Sequence, residues 1–163
     1  SSNLKVGITR ECDPCVRWID QGAMQAVSVM TTSNRYQSGL VEVALKNVLK
    51  DKSNWRTLLK QDAEKVNLQA EAERFVQLGR EFFEPILAQY PQQISLLPSY
   101  DVQEINYPIL KYPEKICSLS LDKTSVVEGV LQGIKGQYWI LDTGVINIRK
   151  FSGYNVIFKV GAS

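Results

Sequence analysis

Arg17, Glu42 and Asn54 carry the chemistry with the widest reach in this sequence: a guanidinium, a carboxylate and an amide on three successive helical elements. Brought together beside a strand, such a set holds a divalent metal on the carboxylate and a phosphate on the guanidinium. The spacing alone equally allows Arg17 and Glu42 to form a structural ion pair. A second set is basic. Lys52, Arg56 and Lys60 recur every four residues, which stacks them on one helix face, and Trp55 sits within the run. Positive charge tracks a phosphate backbone and an aromatic ring stacks on bases, so this run reads either as a nucleic-acid-binding surface or as a solvated face with Trp55 turned inward. A third set, Arg149, Lys150 and Tyr154, has the same two readings, a single-strand-binding surface or a solubilising edge. Just upstream, Tyr138 and Trp139 point to opposite faces of an extended strand, so one is expected in the core and the other exposed.

Two absences and one pair of thiols narrow the chemistry. Histidine does not occur, which removes Ser-His-Asp and Cys-His catalysis, His-containing zinc sites and an imidazole pH switch. The cysteines are Cys12, Cys15 and Cys117. Cys12-Asp13-Pro14-Cys15 is a Cys-x-x-Cys pair. It reads as half a zinc site, as a redox motif preceding a short helix, or as two ordinary loop thiols. An odd cysteine count without a secretory signal fits a reducing cytoplasm, the expected location. No apolar run approaches the roughly 20 residues that span a bilayer, so no membrane partner is expected.

The elements that must position these groups follow from pattern. The chain has 163 residues, 44% hydrophobic and 22% charged, with 19 basic and 17 acidic side chains, which is an ordinary globular balance. Leu4 to Thr9 alternates as a strand, a short helix covers Val16 to Gln21 and stops at Gly22, and Met24 to Met30 reads as a buried strand. Thr31 to Asn34 supplies cap chemistry for a helix from about Arg35 to Lys50, with Leu40, Val43, Ala44, Asn47 and Val48 on its inward face. A short helix is expected over Trp55 to Lys60. The clearest helix is Asp62 to Leu87, its apolar stripe including Leu68, Ala72, Phe75, Val76, Gly79, Phe82, Phe83 and Ile86, and Pro85 marks its expected end.

Pro91 and Pro98 then bracket a connector. From Tyr100 onward β-branched and aromatic residues with closely spaced glycines suggest a small antiparallel barrel or meander. The expected architecture is therefore α+β: an α/β domain at 1–93 with a long helix, and a small antiparallel β-barrel-like domain at 94–163. The former holds 12 basic and 11 acidic side chains and the latter 7 and 6, so neither is strongly basic.

Lys5 to Arg10, Arg17 to Ala23, Asn34-Arg35-Tyr36, Glu42 to Lys46, Lys52 to Arg56, Gly133 to Tyr138 and Asp142 to Lys150 together resemble an uncharacterised bacterial family, DUF2797, over almost the whole chain. That resemblance implies a Cys-rich, zinc-binding segment upstream, so that this chain would be a fragment lacking it. Residues 4–60 are also distantly similar to the GIY-YIG nuclease superfamily. Lys5-Val6-Gly7 takes the place of the second motif, Arg17 that of the catalytic arginine, Glu42 that of the metal-binding glutamate and Asn54 that of the asparagine that follows it. The likeness implies phosphodiester hydrolysis with Mg2+ or another divalent cation on Glu42 and Arg17 countering charge on the scissile phosphate. Lys5 replaces the tyrosine that serves as base there. A lysine with a pKa near its reference of about 10.4 is protonated and cannot accept a proton, which argues against activity. The first-motif strand would precede residue 4. The leading expectation is thus a cytoplasmic module binding DNA or RNA on a degenerate GIY-YIG-like scaffold. The alternatives are a metal-dependent nuclease and a protein-interaction scaffold built on exposed aromatics.

Overall fold

A computed structural model describes residues 4–10, 13–49, 56, 59 and 66–161. It divides into two units, residues 1–106 and 107–163. Among the described residues the first unit contains α1 (Cys15–Asp20), β1 (Gln25–Ala26), β2 (Met30–Thr32), α2 (Arg35–Lys46), α3 (Leu68–Gln89), β3 (Ile94–Leu96) and β4 (Gln103–Glu104).

Helix ends follow their residues. α1 stops because Gly22 adopts a φ of 70°, which lets Gly22 N–H reach the carbonyl of Ile19 and Ala23 N–H that of Trp18. Asn34 caps α2 by accepting from Gln37 N–H at 3.0 Å, and Asn67 caps α3 by accepting from Ala70 N–H at 3.1 Å. α2 ends at Lys46, short of the expected Lys50. There the Asn47 side chain donates to the carbonyls of Ala44 and Val43, competing with continuation of the helix. Its buried face is Gln37, Val41, Ala44 and Leu45; of the predicted face Ala44 is buried, Leu40 and Val48 are half-buried, and Val43 is 65% exposed.

α3 runs through Pro85 to Gln89. The missing N–H of Pro85 falls on an exposed side of the helix, while buried Phe83 and half-buried Ile86 and Leu87 hold the last turns on the core. The core joins Val41, Ala44 and Leu45 of α2 to Val76 and Phe83 of α3 and Ile94 of β3. Gly79 allows the two helices to meet closely, since a Cβ there would lie 2.9 Å from Leu45 Cδ2. The helix expected over Trp55 to Lys60 lies almost wholly outside the described residues; of it, Leu59 is fully buried and its N–H donates to the Arg56 carbonyl.

The strands depart furthest from expectation. Leu4 to Thr9 forms no ladder among the described residues, and Val6 packs against the helical core instead. The single strand expected over Met24 to Met30 is two short ones. β1 pairs antiparallel with β4 and β2 with β3, so the proline-bracketed connector and the residues just after it contribute ladder partners to this unit. Residues 94–106 therefore belong to the first unit, and the division falls at 106/107 rather than 93/94.

In the second unit, β5 (Ser118–Leu119), β6 (Leu131–Lys135), β7 (Tyr138–Leu141) and β8 (Gly144–Asn147) form one sheet in the order β5-β8-β7-β6, followed by a 3-10 helix at Ile148–Phe151. β6-β7 and β7-β8 are tight hairpins, and β5 joins β8 in parallel. The barrel expectation is corrected: this sheet is open and not wholly antiparallel. Four strands of two to five residues are too few and too short to close on themselves. The outer side of β6 is met instead by residues 108–111, through an Ile109–Gly133 bridge and bonds to Gln132 and Ile134. Gly133 permits that approach, because a Cβ there would lie 2.8 Å from Ile109 Cα. Ile140, Val145, Ile146 and Phe151 are this unit's buried apolar residues, with Val145 and Ile146 on opposite faces of β8. Tyr138 and Trp139 are both half-buried rather than one in and one out, and the Trp139 ring meets Phe158 edge-on at 5.7 Å.

Candidate functional site

Of the residues nominated from sequence as catalytic, Arg17 is exposed on α1 and Glu42 lies on α2, while Asn54 lies outside the described residues. Glu42 pairs with Lys46 one turn on, at 3.2 Å. Among the described residues no three His, Cys, Asp or Glu side chains cluster as metal ligands. Of the basic run, Arg56 is exposed, and Lys52 and Lys60 lie outside the described residues.

Arg149, Lys150 and Tyr154 stand together on and just after the 3-10 helix, all exposed. Sequence reading missed the residue that organises them. Asp122 accepts from Lys150 Nζ, from the Tyr154 hydroxyl and, at 3.2 Å, from Ser120 Oγ, whose oxygen in turn accepts from Asp122 N–H at 3.3 Å. Lys150, then Tyr154, hold the Asp122 carboxyl down to about 2, and Asp122 pushes the Tyr154 phenol up. Asp122 stands 28 and 32 residues before its partners, and no local pattern links them. A lowered carboxyl pKa stabilises above the unfolded value near 3.8 and is lost as pH falls through the folded value. The link between the turn at Ser120 and the 3-10 helix is therefore expected to hold at pH 5 and to open between about pH 4 and pH 2. Chemical shifts of Tyr154 across an acid titration should report this, and Asp122→Asn should abolish the transition.

A second feature hidden from sequence is Lys135, the last residue of β6. It is 1% exposed, its Nζ lies 5.8 Å from the Tyr107 ring centroid and 5.5 Å from that of Tyr112, and burial lowers its pKa.

A cleft opens in the first unit where the two short ladders fall out of step. Gln25 pairs with Glu104 and Met30 with Leu96, so residues 27–29 oppose residues 97–102 and the second strand carries three extra residues. The excess forms a bulge between the two ladders. Leu97, Ser99, Asp101 and Gln103 turn to the cleft, while Leu96 and Tyr100 pack against the core. Ser28 faces them from the other strand, and Cys15 and Trp18 of α1 close one side around about 280 Å3. Ser99 Oγ donates to Asp101 Oδ2 at 3.1 Å, which fixes the carboxylate. Cys15 is a free thiol, and its Cys-x-x-Cys partner Cys12 lies outside the described residues. Hydrogen bonding to Asp13 pushes the Cys15 thiol up, against the low thiol pKa that a redox cysteine needs.

A mixed α/β unit with a bulged ribbon under a short helix, and a unit built on an open four-stranded sheet, define the class of protein. The sequence profile described as a protein of unknown function, DUF2797, matches residues 1–156, and the chain belongs to that family. No curated protein and no solved structure gives a significant match. No helix among the described residues is long and apolar enough to cross a membrane.

Proposed function

We propose that this chain is a nucleic-acid-binding module whose main binding surface is the C-terminal end of residues 107–163. One observation carries the reading. With the division at 106/107, Asp101 and Glu104 fall to the first unit, and the second is left with seven basic side chains against four acidic ones. On that cationic unit Arg149, Lys150, Tyr154, Phe158 and Lys159 are all exposed within eleven residues, Phe158 by 70%. Cations and rings together on one exposed stretch are the means by which a protein follows a single strand, charge meeting phosphates and rings meeting bases. Asp122 orders this stretch through Lys150 and Tyr154.

The first unit supports a scaffold similar to GIY-YIG proteins only in the order of its parts, Arg17 on a short helix and Glu42 on the next. With Glu42 paired to Lys46, the metal-dependent nuclease is not carried further. The test is fluorescence anisotropy of a labelled single-stranded oligonucleotide with the double variant Arg149→Glu/Lys159→Glu. Affinity is expected to fall at least about tenfold, and the salt slope to shrink by about 0.7 for each phosphate that the variant no longer engages. Unchanged affinity would remove this surface from the function.

A further inference from the structure

The bulged ribbon gives the first unit a binding site that the polyanion surface neither uses nor requires. We propose that the cleft between α1 and residues 97–103 takes a single guanine base, with Trp18 as its stacking wall and Asp101 as the acceptor for its Watson–Crick edge. Four observations lead to this ligand. The size, about 280 Å3, lies at the lower limit of small-molecule pockets, which suits one ring system rather than a dinucleotide. An indole in a lining that also holds Pro14 and Leu97 suits a planar aromatic face.

The polar groups come from both strands. Asp101 offers two oxygens that only accept, Gln103 offers both a donor and an acceptor, and the Ser28 hydroxyl does the same. Guanine matches that set: its ring N–H and exocyclic amine form a donor pair for a carboxylate, and its neighbouring carbonyl oxygen accepts from an amide or hydroxyl. Adenine places an acceptor beside its amine, which a carboxylate repels. A guanidinium has donors alone and leaves the donors of Gln103 and Ser28 without use. Ser99 holds Asp101 in place before the ligand arrives, so little ordering cost falls on binding.

Isothermal titration calorimetry of the full chain with guanosine, inosine and adenosine tests the site without any phosphate present, so a failed polyanion surface does not affect it. Guanosine is expected to bind, with inosine, which lacks the exocyclic amine, and adenosine each at least about tenfold weaker. Asp101→Asn, which replaces an acceptor oxygen with a donor on an exposed side chain, should erase that preference. Trp18→Ala should weaken all three by about tenfold. A second series uses oligouridylate of about 12 nucleotides with and without one central guanosine. Tighter binding of the guanosine-containing strand, lost in Asp101→Asn, assigns the base to a single strand; binding of guanosine without that difference assigns it to a free nucleoside. Absence of guanosine binding, equal affinities for the three nucleosides, a preference that survives Asp101→Asn, or stronger binding of N-acetylarginine amide than of guanosine would overturn the assignment.

Discussion

Phe83→Ala is expected to cost the first unit about 3–5 kcal/mol, the range for removing a fully buried aromatic side chain. Phe83 is 0% exposed on α3 and belongs to the cluster that joins α3 to α2 and β3. Truncation removes apolar area and leaves a cavity that Val41, Leu45 and Ile94, already packed against other neighbours, cannot fill. Since whole domains are stable by only about 5–15 kcal/mol, urea denaturation followed by far-ultraviolet circular dichroism should show an early loss of helix. Phe82→Ala is the internal control. Phe82 is 38% exposed and should cost less than half as much. Equal losses for the two variants would mean that α3 presents a different face to the core.

Lys135→Glu is expected to destabilise the second unit by about 3–5 kcal/mol, the penalty for an uncompensated charge inside a protein. The lysine stem fills the end of β6, and its ammonium meets the negative faces of Tyr107 and Tyr112. A carboxylate there loses hydration and meets those same ring faces with the wrong sign. Lys135→Met keeps the stem and drops the charge, and should stay within about 1.5 kcal/mol of the parent. The pH dependence separates the two effects. Burial lowers the lysine pKa, so between that lowered value and the reference of 10.5 the unfolded chain binds more protons than the folded one. Stability of the parent protein should therefore rise with pH through that window, and Lys135→Met should lose the rise. Amide hydrogen exchange over residues 131–147 reads both variants; a Glu variant as protected as the parent would place Lys135 outside the buried side.

Helix existence was legible because it depends on neighbours in sequence. Asn34 before α2, Gly22 after α1 and the stripe of α3 are each local signals, and the structure contains all three helices. What those signals do not fix is which flank of the stripe turns inward. Val43 is as apolar as Val41, and only the meeting of α2 with α3 at Gly79 chooses between them. Strands were far less legible. β1 finds its partner 77 to 79 residues later and is two residues long, so no alternation of its own announces it. The cleft is a property of two registers that disagree by three residues, which no single segment encodes. Lys135 and Asp122 were missed for a related reason. A buried lysine and a surface lysine are the same letter, and the tyrosines and the hydroxyl that give these two residues their character lie elsewhere in the chain.

Binding of single-stranded nucleic acid through phosphates on the C-terminal surface is the central claim. Fluorescence anisotropy of a labelled single-stranded oligonucleotide with the parent chain, repeated across a salt series, tests it most directly. The expected result is binding at low salt, with log affinity falling linearly against log salt by about 0.7 for each phosphate engaged. No binding at low salt, or an affinity that does not change as salt rises, would contradict it.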